Sequence, residues 1–201
     1  MSIRPLSDKE FESQIGPQRK AVLRSSKYVF LDLESALNTQ FNKDFRRYWG
    51  IRQQDTFGPF FDPVAVVNLA SIIKADLHTK VVLLHDWNDE GVGQMNGQCL
   101  KHFLPGFVID IAERNFSLEE EDFRSLQGET LPQARAMQIR AWLRDNEVAD
   151  RPFVILDAQD DYGEEFSGHV VLTDPRYGLT DKAARKAIRI LKRQSDDQKD
   201  V

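Results

Sequence analysis

Five short apolar runs, set between stretches of helical periodicity, constrain the fold of this chain more than any other feature of it. They are Tyr28 to Leu33 (YVFLDL), Lys80 to Leu84 (KVVLL), Phe107 to Ile111 (FVIDI), Phe153 to Leu156 (FVIL) and His169 to Leu172 (HVVL). Each has the length of a strand, and none alternates cleanly between apolar and polar residues. That pattern suits strands covered on both faces. Amphipathic helices separate them. Asp62 suits an N-cap and Pro63 the first helical position. Val66, Leu69, Ala70, Ile73 and Leu77 then fall on one face. Arg135 to Asn146 reads as a helix with Ile139, Trp142 and Leu143 on one side, and Thr180 caps a last helix with Ala184, Ala187, Ile188 and Leu191 inward. Apolar strands alternating with helices predict an α/β fold, a central and mainly parallel sheet with helices on both faces.

At 201 residues and 41% hydrophobic residues, the chain suits one domain with ragged ends and is too apolar for a disordered protein. Residues 1–26 read as a polar N-terminal extension. They carry a capping box, Ser7-Asp8-Lys9-Glu10, and a helix stop at Gly16-Pro17. Residues 27–193 form the domain, and the apolar-free tail over 194–201 is expected to be disordered. Gly91 to Gly97 reads as a loop. Residues 39–61 suggest a small insert rich in aromatics (Phe41, Phe45, Tyr48, Trp49, Phe57, Phe60, Phe61) and carrying Arg46, Arg47 and Arg52. Those aromatics are expected mainly to pack, the alternative being a recognition surface for a protein partner. The net charge of −5 argues against a general nucleic-acid coat and leaves room for a local basic groove. Cys99 is the only cysteine, so neither an internal disulfide nor a cysteine zinc site is expected. The N-terminus lacks the apolar core of a signal peptide, and no apolar run is long enough for a membrane span. A cytoplasmic protein without membrane association is expected.

In open parallel sheets, ligands bind beyond the carboxyl ends of the strands. Acids stand at three such ends: Asp32 with Glu34, Asp86, and Asp157 with Asp160 and Asp161. Carboxylates converging there without a nearby lysine repel one another, and a divalent cation offsets the repulsion. Oxygen ligands suit magnesium. Spacing alone leaves open that these acids cap helices or sit in turns.

Tyr28 to Thr39 (YVFLDLESALNT) is similar to the first motif of the haloacid dehalogenase (HAD) superfamily, a hydrophobic strand followed by D-x-D-G-[VT]-L-[NT]. Phe153 to Asp161 (FVILDAQDD) resembles its acidic fourth motif. Lys80 to Asn88 (KVVLLHDWN) resembles in position the second motif of one branch, V-L-S-S-S-W-R. Val171 to Leu191 (VLTDPRYGLTDKAARKAIRIL) resembles the T-D-P-x-x-G-L-T helix of that branch, the HAD domain associated with Swiss Army Knife RNA repair proteins. The resemblance implies a HAD-like Rossmannoid fold with a small or absent cap, and a magnesium-dependent phosphohydrolase acting through an aspartyl-phosphate. Asp32 would be the nucleophile and Glu34 the general acid–base. Asp32, the Glu34 carbonyl, Asp157 and Asp161 (or Asp160 through water) would hold Mg2+. His85 and Arg135, with Arg140 second, would bind phosphate. The substrate would be a phosphorylated small molecule, a nucleotide or a nucleic-acid end.

Several positions depart from the family pattern. Glu34 stands for the shorter Asp, Ser35 for Gly, His85 for the phosphate-binding Ser or Thr, Asn88 for Arg, and Ala158 for the second Asp of the fourth motif. A longer carboxylate overshoots, and misplacement by about 1 Å can cost around a hundredfold in rate. A second reading follows, a catalytically impaired member retained as a binding or regulatory module.

Overall fold

A computed structural model describes residues 17–56, 58–84, 92–104, 108–112 and 131–198. The elements run α1 (residues 17–24), β1 (Lys27–Leu31), α2 (Leu33–Leu37), α3 (Gln40–Tyr48), β2 (Gln54–Asp55), β3 (Gly58–Pro59), α4 (Pro63–Ala75), β4 (Thr79–Leu84), α5 (Val92–Lys101), β5 (Val108–Ala112), α6 (Leu131–Asp145), β6 (Phe153–Asp157), β7 (Val170–Leu172) and α7 (Asp181–Asp197). The main sheet has five strands in the order β5-β4-β1-β6-β7. Every pairing in it is parallel. A second, two-stranded sheet pairs β2 with β3 antiparallel.

The central strand explains its own position. Tyr28, Val29 and Phe30 are fully buried, because each face of β1 meets a helical layer. Val29 and Leu31 join Val81, Leu83, Val154 and Leu156 beneath α4 and α7. Tyr28 and Phe30 join Val82, Phe153 and Ile155 beneath α6, which contributes Ala136, Ile139, Trp142 and Leu143. Trp142 meets Tyr28 and Phe30 edge-on, with ring centroids 5.0 and 5.5 Å apart. Each such side chain contributes about 1.5–3 kcal/mol by leaving water.

The expected caps are present. The Asp62 carboxylate accepts the N–H groups of Val64 and Ala65, and Thr180 accepts that of Ala183. Other expectations are corrected. Leu77 is exposed, since α4 stops at Ala75 where Asp76 turns the chain by accepting the His78 N–H and pairing with Lys27 at 2.7 Å. The glycine-rich stretch is helical from Val92 onward. Its two glycines, Gly93 and Gly97, are each unfavourable by about 1 kcal/mol relative to alanine, and Cys99 packs the helix into the core. Residues 194–197, expected in the tail, continue α7. Gln194 accepts the Phe153 N–H at 2.8 Å and donates to its carbonyl at 2.9 Å, which pins this polar stretch to the sheet. The capping box near Ser7 and residues 199–201 lie outside the described residues. Within the N-terminal extension, α1 is held by buried Leu23, whose carbonyl accepts the Tyr28 hydroxyl.

The 39–61 segment is α3 followed by the β2–β3 hairpin. Thr39 donates to Asp62 at 2.8 Å and Asn42 to the Phe60 carbonyl at 2.6 Å, so the segment is tied to the start of α4. Its aromatics do not mainly pack. Phe61 is buried and Phe60 half-buried under Arg46 and Lys101, but Phe41, Phe45, Tyr48 and Trp49 are exposed. Phe57 lies outside the described residues.

Candidate active site

The site forms at the carboxyl end of the two central strands. β1 and β6 pair with Leu31 opposite Leu156, and the Asp32 N–H donates to the Leu156 carbonyl at 2.9 Å. Asp32 and Asp157 are therefore neighbours by register. Asp32 is also the N-cap of α2, and its Oδ2 accepts the Ser35 N–H at 3.3 Å. A capping acid there suits the positive end of a helix. Asp157 ends β6. Its Oδ1 accepts the Gln159 N–H at 3.1 Å, and its Oδ2 accepts the Tyr162 hydroxyl.

Arg135, on α6, joins the two acids. One guanidinium nitrogen donates to Asp157 Oδ2 and the other to Asp32 Oδ1 at 3.4 Å. All three side chains are buried, with Asp157 wholly so. Burial pushes the Asp32 carboxyl above its ordinary pKa, and Arg135 is the largest influence opposing that rise. Burial, with the Asp157 charge, holds Tyr162 protonated far above the usual phenol range, so it serves as a donor.

Around this floor opens a cleft of about 710 Å³, lined among others by Glu34, Lys43, Gln159 and Arg176. Glu34 accepts two contacts from Asn38 Nδ2, at 2.9 and 2.7 Å, and one from Lys43 Nζ at 3.2 Å. Ser35 is buried, and its hydroxyl accepts that of Thr173 at 2.9 Å. A side chain at the family's glycine position is thus accommodated.

The structure brings Asp32, Asp157 and Arg135 together and sets Glu34 in the same cleft. It places Asp161 and Asp160 on the exposed turn after β6, outside the cleft lining. Arg140 is exposed and pairs with Glu165. His85, Asp86 and Asn88 lie outside the described residues. His102 is structural: its Nε2 accepts the Phe61 N–H, its ring stacks on Phe61, and burial lowers its pKa to about 4. Motif spacing gave no sign of Tyr162, Asn38 or Lys43. Only the register of α3, with Gln40, Lys43 and Asp44 on one side, could have raised Lys43.

Magnesium needs near-octahedral oxygen donors. Among the described residues, no three His, Cys, Asp or Glu side chains gather as a metal site. The position between Asp32 and Asp157 is filled by a guanidinium, and Asp157 already receives three donors. The donor set as arranged does not fit the expected shell, and Arg135 supplies the countercharge.

The family model for the HAD domain in Swiss Army Knife RNA repair proteins matches residues 28–184, most of the chain. No curated protein and no solved structure matches it. No described helix is long and apolar enough to cross a membrane.

Proposed function

The chain belongs to this HAD family, and from that premise we propose that its cleft is a phosphoryl-transfer site for phosphomonoesters, with Asp32 as nucleophile. One observation carries the reading: a buried acid at the tip of the central strand shares a buried arginine with a second acid, at the floor of a cleft edged by Lys43 and Arg176. A phosphate seated there would meet positive charge from Arg135 and Lys43, held in place beforehand. An Asp32 oxygen would attack phosphorus, and the ester oxygen would leave with a proton from Glu34. Water would then attack the aspartyl-phosphate, giving its proton to Glu34 and releasing phosphate and free Asp32. The family's description names RNA repair proteins, so nucleotide or nucleic-acid phosphates are the substrate class to try first.

A second reading has its own support. Glu34 receives donors from Asn38 and Lys43 on its carboxylate and must release them before it can protonate a leaving group. A site that binds phosphate without turning it over is consistent with that arrangement.

The test is phosphate release from an aryl phosphate by the folded chain, with magnesium and after chelation. Release that Asp32→Asn abolishes would support the phosphoryl-transfer reading, and release that survives chelation would accord with Arg135 as the countercharge. Binding of inorganic phosphate that needs Arg135, with no release in either condition, would establish the second reading. Recovery of release in Glu34→Asp would then trace the loss to the reach of that side chain. Neither binding nor release would refute both.

A further inference from the structure

The exposed aromatics of α3 form an ordered stripe whose first ring, Phe41, meets Tyr177, the neighbour of cleft-lining Arg176. Phe41, Phe45, Tyr48 and Trp49 stand at i, i+4, i+7 and i+8, one side of the helix. They are 52%, 48%, 81% and 64% exposed, far more than a core-facing stripe would be. Over those residues the helix rises about 12 Å. The rings are not scattered: Phe45 and Trp49 lie 6.4 Å apart and Tyr48 and Trp49 5.2 Å apart, centroid to centroid. At the cleft end, Phe41 meets Tyr177 at 6.1 Å, and the Arg176 guanidinium stands 5.6 Å from the Tyr177 ring. Arg176 also lines the cleft. Backbone bonds from Gln40 to the Pro175 carbonyl and from Phe41 to the Arg176 carbonyl join this rim to α3.

The charge differs here from the chain as a whole. Residues 40–52 carry Lys43, Arg46, Arg47 and Arg52 against Asp44 alone, 4 − 1 = +3, within a chain of net −5. Asp44 is itself met by Arg47 and Gln40. Open aromatic faces interleaved with arginines bind single strands, since every base has a face to stack and every linkage a charge to meet. The local positive charge in an otherwise acidic chain is what favours a polyanion over a protein partner.

We propose that the α3 stripe, with Tyr177 and Arg176, is a stacking platform that leads a single-stranded polynucleotide, terminal phosphate first, into the Asp32–Arg135 cleft. The platform is a separate binding surface, and its link to the cleft rests on the phosphoryl-site reading above.

The test uses the full chain and a labelled single-stranded oligonucleotide, with and without a terminal phosphate, and a mononucleotide as a third probe. Binding is followed by fluorescence anisotropy at several salt concentrations. The oligonucleotide should bind more tightly than the mononucleotide and weaken as salt rises. The triple variant Phe45→Ala/Tyr48→Ala/Trp49→Ala should lose at least about tenfold in oligonucleotide affinity, because each stacked base contributes that order. These three residues lie outside the cleft lining, so aryl phosphate binding or turnover should stay within about twofold, and their exposure leaves the thermal transition in place. Platform-dependent oligonucleotide binding in a chain that neither binds nor releases phosphate would uphold the platform and refute the cleft reading. Asp32-dependent turnover with unchanged oligonucleotide affinity in the triple variant would overturn the platform and spare the cleft. No oligonucleotide binding at low salt, or capture of a protein by the stripe in its place, would also overturn it.

Discussion

Replacing Arg135 with methionine tests the electrostatic core of the site. The substitution keeps most of the side-chain volume and removes the charge shared by Asp32 and Asp157. At 3.4 Å and an effective dielectric near 20, each carboxylate–guanidinium contact is worth about 5 kcal/mol gross. Desolvation consumes much of that, and breaking a buried ion pair from one side costs about 3–5 kcal/mol net. With a urea m-value of about 2.5 kcal/mol/M, the unfolding midpoint should fall by about 1.5 M. Fluorescence of Trp142, wholly buried against Tyr28 and Phe30, reports the transition. The sign of the pH dependence also follows. Burial already raises the Asp32 pKa, and Arg135 is the largest influence opposing it, so the variant raises it further. A folded state that keeps a proton the unfolded state has released loses stability as pH climbs from the unfolded pKa of about 3.9 through the raised folded value. The deficit should therefore be smaller at a pH below that raised value than at a pH above it. A deficit below about 1 kcal/mol, or one equal at both pH values, would refute a site in which Arg135 balances two buried charges.

Two further substitutions probe how the site is framed. Gly178 has φ +70°, and a Cβ there would stand 2.5 Å from the Ala36 carbonyl oxygen and 2.5 Å from Thr39 Cγ2; Gly178→Ala should cost at least about 3 kcal/mol in urea unfolding, combining left-handed strain with a backbone clash. Gln98 is fully buried and neither polar atom of its amide has a hydrogen-bond partner among the described residues; Gln98→Met should raise stability by about 1 kcal/mol in the same assay, since an unmet buried amide is destabilising by roughly 1–3 kcal/mol.

The sheet was legible because burial on both faces leaves a local mark. A strand such as Tyr28 to Leu31 must be apolar throughout when α4 and α7 cover one side and α6 the other. Caps were legible for a similar reason, since Asp62 and Thr180 act within three residues of themselves. Partnerships across distance were not. Nothing near Arg135 announces that it reaches residues 22 and 103 positions away. The helix at Val92–Lys101 was masked by its glycines, whose propensity is set aside by packing of Cys99 into the core. Leu77 differs in the opposite way: it continues the apolar periodicity, but Asp76 ends the helix two residues before it through Lys27, a residue no local pattern includes.

The three charges are not equivalent, and the difference bears on which acid reacts. Asp157 receives donors from Arg135, Tyr162 and the Gln159 N–H, and it has no exposure. Its charge is met even if the guanidinium shifts. Asp32 holds its partners at longer range, 3.4 Å from Arg135 and 3.3 Å from the Ser35 N–H, and it lines the cleft. Long hydrogen bonds stabilise a carboxylate weakly, so its lone pairs stay available. A phosphate carries more charge than one carboxylate and competes for the Arg135 nitrogen now nearest Asp32, while the bond to Asp157 keeps the arginine in place. In the proposed reaction Asp157 would therefore anchor the arginine, and Asp32 would give it up to the incoming phosphate and be left facing phosphorus. That division follows from the number and length of the hydrogen bonds at each acid, and under the proposed mechanism the less satisfied of the two would be the nucleophile.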